Sequence, residues 1–190
     1  MKQLLITTHL YTFAVICVIA TTISSCTFKK KTDMETPTGT KENELTMLVG
    51  TYTSGDSKGI YSFRFNEETG TATALSETEV ENPSYLAVSA DGKFIYTVSE
   101  FNNEQAAANA FAFNQEKGTL KLLNSQKTGG EDPCYIITNG NNVITANYSG
   151  GSISVFPIAK DGSLLPASDI IKFEGSGTDK ERQEKSHLHC

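Results

Sequence analysis

The sequence predicts an all-β protein, a β-propeller of four-stranded antiparallel blades, on three observations. Short segments rich in β-branched and aromatic residues follow one another from Leu45 to the end of the chain. Turn dipeptides such as Asp91-Gly92 and Asn139-Gly140 separate these segments. The segments also recur at an interval of about 48 residues. A repeat of roughly 40–50 residues that carries four strands is typical of a propeller blade.

Residues 1–25 precede the predicted fold and resemble a secretory signal. Lys2 is followed by an apolar run around Tyr11–Ala20 and by small polar residues that end at Cys26. The run is too short and too poorly flanked for a stable membrane span. The sequence Ile-Ser-Ser-Cys that ends at Cys26 resembles a bacterial lipobox, with isoleucine in place of the usual leucine, and predicts lipidation of Cys26. Plain secretion and an uncleaved anchor are the alternatives.

Residues 26–44 are polar, contain Pro37 and Gly39, and show no apolar period, which predicts a flexible tether. We therefore expect an exported protein, periplasmic or anchored to the outer membrane through its lipid. It would be cytoplasmic if this interpretation of the leader is wrong. Beyond the leader only Cys134 and Cys190 remain, too few for a disulfide framework, although they could pair with each other.

The domain itself is predicted over residues 45–190, and its charge limits the class of partner. The chain of 190 residues has a formal net charge of -6 and a pI near 5.1. A nucleic-acid-binding protein would show a basic face, so nucleic acid is excluded as a partner. The only membrane contact that we expect is the lipid anchor.

The repeat is clearest between residues 60–75 and 108–123. IYSFRFNEETGTATAL aligns with ANAFAFNQEKGTLKLL at a constant offset of 48 residues, and NPSY recurs as DPCY at an offset of 50. In the best-defined blade we predict four strands, from innermost to outermost, over Ser84–Ala90, Lys93–Glu100, Asn109–Asn114 and Thr119–Gln126. Paired phenylalanines, predicted to fill the layers between neighbouring blades, are Phe63 with Phe65 and Phe111 with Phe113.

Several motifs occur in a fixed order between about Met47 and Cys190: MLVGTYT, NPSYLAVSADGKFIYTVSE, DPCY, ANYSGGSISVFPIAKDGSL and RQEKSHLHC. Together they resemble the lactonase family of seven-bladed propellers, typified by propeller-type 6-phosphogluconolactonase. The resemblance implies hydrolysis of a sugar lactone such as 6-phospho-D-glucono-1,5-lactone, without a metal or other cofactor. Carboxymuconate-cyclising enzymes are similar too, so a lactone-forming reaction is an alternative.

Blade topology predicts where the functional loops meet. In an antiparallel four-stranded blade, the connection between the second and third strands lies at the same end as the connection to the next blade. One face, the mouth of the central channel, should therefore hold the loops at Tyr52, Asn82, Glu100, Asp132, Tyr148 and His187. We interpret Asn82 and Asp132, each followed by proline, as turn formers.

The chemistry of lactone hydrolysis suggests roles for residues at this mouth. His187 and His189 are two residues apart, and we expect them to enter the next inner strand, where they would point the same way. Either could be the base that deprotonates the attacking water, or the acid that protonates the leaving hydroxyl. Arg182 could hold the oxyanion or a substrate phosphate. Glu100 could orient the histidines or titrate against them, and a sugar could be contacted by Asn147 and Tyr148.

Structural alternatives accompany each of these roles. Glu100 and Arg182 could be solvated surface charges, and Asn147 could cap a strand end. The His-x-His-Cys cluster could bind zinc, but it has no further partner motif to complete the three or four ligands of such a site. We therefore predict no metal.

The repeats account for about three of the family's seven blades, and three blades cannot close a ring. We therefore expect a truncated sequence that is inactive when expressed alone, and a complete protein that is a monomer. The competing class is a lipid-anchored propeller that binds without catalysing, because this fold hosts many functions.

Overall fold

The computed structural model describes residues 43–189, so the signal, Cys26, the first part of the tether and Cys190 lie outside the described residues. Within this range the chain forms eleven strands: β1 (Glu44–Gly50), β2 (Gly59–Asn66), β3 (Ala72–Glu79), β4 (Leu86–Val88), β5 (Phe94–Ser99), β6 (Ala107–Asn114), β7 (Thr119–Lys127), β8 (Pro133–Thr138), β9 (Asn142–Asn147), β10 (Ser152–Pro157) and β11 (Asp169–Lys172). In the described part of the chain, no helix is long and apolar enough to cross a membrane.

The strands form three antiparallel sheets, with the orders β1-β2-β3, β4-β5-β6-β7 and β8-β9-β10-β11. The second and third sheets confirm the predicted four-stranded blades. The repeat aligns β1 with β5, so the first sheet corresponds to the second, third and fourth strands of a blade. The largest difference from the predicted strand limits is at β4, which is confined to Leu86–Val88 rather than Ser84–Ala90.

Apolar layers join neighbouring sheets. Between the first and second sheets, Ile60, Ile95 and Phe111 are fully buried, and Phe113 packs against them. Burying a side chain of this size contributes roughly 1.5–3 kcal/mol. The prediction for Phe111 and Phe113 is therefore confirmed, and the repeat places Phe63 on the corresponding face of the first sheet, where it is half-buried.

The layer between the second and third sheets is larger. Its buried members are Tyr96, Val98, Ala108, Ala110, Ile136, Val143, Phe156 and Leu164. Strand β6 contributes to both layers because successive residues of a strand point to opposite faces, and a register shift between Ala110 and Phe111 separates its two contributions. Small alanines toward the third sheet leave room for the ring of Phe156.

The turn before each inner strand has the same unusual backbone. Asn82 and Asp132 have φ of 45° and 51°, although neither is glycine, and each precedes a proline. Asparagine and aspartate tolerate this left-handed region better than other side chains do. Both residues therefore form turns, as predicted, and they bring the chain back from an outer strand to the next inner strand.

Candidate functional site

One position in the repeat defines the mouth. Tyr52, Glu100 and Tyr148 are 48 residues apart, and each follows the end of the second strand of its blade. The amide of Glu100 donates to the Asn82 carbonyl at 3.0 Å, and the amide of Tyr148 donates to the Asp132 carbonyl at 2.8 Å. The turn before each inner strand therefore fixes the first residue of the next loop.

The same turns also connect neighbouring blades. Asn82 Oδ1 accepts the amide of Thr53 at 2.9 Å, and the amide of Asp132 donates to the Phe101 carbonyl at 2.8 Å. The amide of Leu188 donates to the Tyr148 carbonyl at 3.3 Å. A continuous set of hydrogen bonds thus joins the six loops predicted to share one face, as that prediction requires.

Both histidines pack on Tyr148. The ring of His187 stacks on Tyr148 with centroids 4.7 Å apart and planes 23° apart, and the ring of His189 meets Tyr148 edge-on at 6.0 Å. Both imidazoles are exposed. The structure therefore places His187 and His189 together at the mouth, both against the ring of the tyrosine predicted to contact substrate.

The segment that carries the histidines is irregular, with a turn closed by the bond from the Gln183 amide to the Asp179 carbonyl at 2.7 Å. Residues 176–189, all within the described range, form no strand, which differs from the inner strand expected for His187 and His189. The Ser186 hydroxyl donates to the Phe173 carbonyl, and the Phe173 amide donates to the Gly151 carbonyl at 2.9 Å. These bonds hold the segment against the hairpin turn between β9 and β10.

Arg182 lines a groove next to the histidines. The groove has a volume of about 420 Å³ and is lined by Tyr148, Gly175, Ser176, Gly177, Asp179, Arg182, Gln183, Lys185, Ser186 and His187. Arg182 is exposed. The two ion pairs within the described residues join Lys58 to Glu79 and Lys93 to Asp91, so neither includes the Arg182 guanidinium. Two cationic side chains beside an imidazole suit an anion such as a phosphate.

Glu100 lies in a different group of side chains. Its carboxylate accepts a hydrogen bond from the Ser84 hydroxyl. Partial burial and the neighbouring Glu100 carboxylate raise the pKa of Tyr52. Among residues 43–189, no hydrogen bond joins Glu100 to His187 or His189.

Asn147 is a correction to the predicted site. Its side chain is fully buried, accepts from Thr145 at 3.0 Å, and donates to Ser152 at 3.0 Å and to Ser154 at 2.8 Å. A side chain with no exposed surface and with its amide satisfied cannot contact a sugar. Asn147 therefore stabilises the end of its strand, which was the structural alternative.

Sequence reasoning missed several residues of the mouth. Ser84 lies two residues before β4, and Cys134 is the second residue of β8. The rings of Tyr85 and Tyr135 lie 4.7 Å apart in a tilted arrangement. Cys134 Sγ lies 4.0 Å from the carbonyl oxygen of Leu188. The signal was available, because NPSY and DPCY place these residues at equivalent positions.

No group of three or more histidine, cysteine, aspartate or glutamate side chains within residues 43–189 could hold a metal ion.

Comparison with known families identifies the family of this chain. The family model for Lactonase, 7-bladed beta-propeller, matches residues 46–190. The chain belongs to this lactonase family. A 6-phosphogluconolactonase of Bacillus subtilis is 37% identical over 147 residues, and one of Formosa agariphila is 35% identical over 150 residues. These matches cover 74% and 75% of the chain but only 41% and 42% of the two relatives, so the chain spans about two fifths of their length.

Solved structures agree. A protein of Bacteroides fragilis, provisionally identified as a 6-phosphogluconolactonase, is 71% identical with a TM-score of 0.78, over 80% of this chain and 42% of its own. The periplasmic gluconolactonase of Pseudomonas aeruginosa is 30% identical with a TM-score of 0.68, over 77% of this chain and 43% of its own. The three sheets therefore have the geometry of consecutive blades in lactonase propellers.

Proposed function

We propose that the complete propeller containing these three sheets hydrolyses a sugar lactone, 6-phosphogluconolactone or a close analogue, at the mouth described above. One observation carries the proposal: two exposed imidazoles flank Tyr148 beside a groove that contains Arg182. The names of the Bacillus subtilis and Formosa agariphila relatives support the choice of substrate.

The proposed reaction uses the imidazoles as base and acid. One imidazole accepts a proton from water as the water oxygen bonds to the lactone carbonyl carbon. The tetrahedral oxyanion then collapses, the bond from that carbon to the ring oxygen breaks, and the ring oxygen takes a proton to become a hydroxyl. The products are the open-chain acid and the regenerated imidazole. His187 and His189 flank one ring, so either can be the base.

Arg182 binds the substrate anion in this proposal. Its guanidinium and the ammonium of Lys185 line the groove that begins at His187. Arginine binds phosphate through two parallel hydrogen bonds, which a lysine cannot reproduce. The other role, stabilising the oxyanion, requires the same side chain to reach the reacting carbonyl.

The test is a lactone hydrolysis assay on the full-length gene product, with glucono-1,5-lactone and its 6-phosphate as substrates. His187→Ala and His189→Ala should lower the rate by roughly 10²–10⁴-fold for whichever residue is the acid or base. Arg182→Lys should raise KM for the phosphorylated lactone alone. Lys160→Gln removes an exposed cation from the β10–β11 connection and serves as the control.

The outcome also separates the alternatives. Near-normal rates in the double histidine variant would overturn acid–base catalysis by this pair. A wild-type protein that binds these lactones and hydrolyses neither would favour the non-catalytic binding platform.

We also propose that the protein is an exported lipoprotein. The apolar leader and the lipobox-like Ile-Ser-Ser-Cys ending at Cys26 support this, and the similar Pseudomonas aeruginosa protein is named as periplasmic. Radioactive palmitate should label the wild type in a membrane fraction but not Cys26→Ser. An unlabelled wild type in the cytoplasm would overturn the proposal. Light scattering on the delipidated full-length product should give a monomer.

A further inference from the structure

Glu100 is held in place at the mouth by three hydrogen bonds, two to its main chain and one to its carboxylate. Its own amide donates to the Asn82 carbonyl at 3.0 Å, and Asn82 Nδ2 donates to the Glu100 carbonyl at 3.2 Å. The Ser84 hydroxyl donates to the carboxylate. A carboxylate has about four acceptor positions, and the Ser84 hydroxyl and the Tyr52 phenol occupy at most two of them, so acceptor capacity remains for a ligand.

Tyr52 is fixed next to this carboxylate through its chain neighbour. The amide and the hydroxyl of Thr53 both donate to Asn82 Oδ1, at 2.9 and 3.0 Å. Asn82 therefore holds the loop after β1 against the loop after β5. Tyr52 is nevertheless 57% exposed, and its phenol lies beside Glu100 and Ser84, so it is open to a ligand there. Because burial and Glu100 raise its pKa, the phenol keeps its proton at neutral pH.

These groups suit hydroxyls and disfavour phosphate. The carboxylate accepts hydrogen bonds from sugar hydroxyls, and the phenol can both donate and accept. The exposed aromatic ring offers an apolar surface with a polar tip. A phosphate beside Glu100 would meet a like charge, which costs binding energy. In the Arg182 groove two cations, Arg182 and Lys185, outnumber the one carboxylate, Asp179, so the net charge there attracts a phosphate.

We propose that Tyr52, Ser84 and Glu100 form a hydroxyl-recognition subsite, which binds the hydroxyl groups of the lactone and leaves its phosphate end for the Arg182 groove. This inference rests on the proposed function and assigns Glu100 to substrate specificity instead of acid–base chemistry. Ser84 positions the carboxylate, while Tyr52 and Glu100 contact the substrate.

Two substrates separate recognition from chemistry in the full-length gene product. Glucono-1,5-lactone carries ring hydroxyls, and δ-valerolactone has the same six-membered lactone ring without them. Tyr52→Phe and Glu100→Gln should lower kcat/KM for gluconolactone roughly 10–100-fold, mainly through KM, since a hydrogen bond to a charged group is lost. Their kcat/KM for δ-valerolactone and the pH profile of kcat should match the wild type.

The control is Tyr96→Phe, which removes a tyrosine hydroxyl that donates to the Gly162 carbonyl at 3.2 Å, in a turn at the end of the sheets away from the mouth. It should leave the ratio of the two kcat/KM values unchanged. Equal losses on both lactones for Glu100→Gln, or a changed pH profile, would overturn the subsite and make Glu100 part of the catalytic or structural machinery.

Failure of the proposed function gives a different result. If the wild type hydrolyses neither lactone, binding of glucono-1,5-lactam, which resists hydrolysis, is measured by calorimetry. Weaker binding by Tyr52→Phe than by Tyr96→Phe would then support the subsite without the reaction. Equal binding by the two variants, or no binding by the wild type, would overturn it.

Discussion

Replacing Gly151 by alanine should displace the histidine segment from Tyr148 without unfolding the third sheet. A Cβ at Gly151 would lie 2.6 Å from the backbone oxygen of Ser186 and 2.7 Å from its hydroxyl oxygen. Contacts under 3.0 Å essentially never occur for a Cβ, so the backbone at Ser186 must move by at least about 0.4 Å. His187 follows Ser186 directly, and its ring stacks on Tyr148 at 4.7 Å.

The expected loss of activity follows from this displacement. A misplacement of about 1 Å can cost roughly 10²-fold in rate, so a smaller shift should lower kcat/KM for a lactone by roughly 10–100-fold. The left-handed backbone at Gly151, with φ of 54°, adds a strain of about 1 kcal/mol to any alanine placed there. The assay follows acid release from the lactone, together with thermal unfolding of the same sample.

Gly70→Ala separates strain from displacement. Gly70 has φ of 69°, and nothing lies within 4 Å of a Cβ added there. The Gly70→Ala variant should therefore lose a similar free energy of unfolding and keep its lactonase activity. If Gly151→Ala hydrolyses the lactone as fast as Gly70→Ala, the contact between Gly151 and Ser186 does not position the histidines, and the reasoning is refuted.

Three further predictions concern stability, measured by urea unfolding. Asn147→Ala should lower the free energy of unfolding by about 1–3 kcal/mol and leave KM unchanged, since it leaves buried partners unsatisfied; a raised KM with full stability would restore a substrate role. Asn82→Ala should cost more than Asp132→Ala, because only Asn82 bonds the mouth loops through its side chain; equal costs would contradict this. Burial raises the pKa of Tyr96 above its ordinary 10.0, so this tyrosine ionises first in the unfolded protein and the free energy of unfolding should fall as pH rises above 10. The Tyr96→Phe variant should show a smaller fall. An unchanged dependence on pH would contradict this.

The sequence was sufficient for the blades and for the face on which their loops meet. Both follow from strand periodicity and from the repeat, which report local geometry. Alternation could also have corrected Asn147, because Val143, Thr145 and Asn147 point to the same face of β9 and are all buried. The alternation is visible in the sequence, whereas an amide at a strand end suits both a substrate contact and a structural role.

The grouping of the mouth residues could not be predicted in the same way. Glu100 pairs with Ser84 across a turn whose direction depends on the positive φ of Asn82. Tyr52 approaches the same carboxylate from another sheet, at a distance set by how the two sheets pack. His187 and Tyr148 meet because an irregular segment without strand pairing returns to the mouth. Such contacts depend on tertiary packing.

The equivalence of Tyr52, Glu100 and Tyr148 bears on how such a protein acquires new specificity. At the latter two positions the amide is anchored by the carbonyl of a turn residue, so the main chain requires no particular side chain there. Gene duplication therefore copies a loop whose main chain is already held by the turn. The side chain at this position can then change in each blade without a change in the backbone. The position holds a carboxylate, Glu100, in one blade and an aromatic ring, Tyr148, in the next. An engineer who seeks a different lactone can vary this one position from blade to blade.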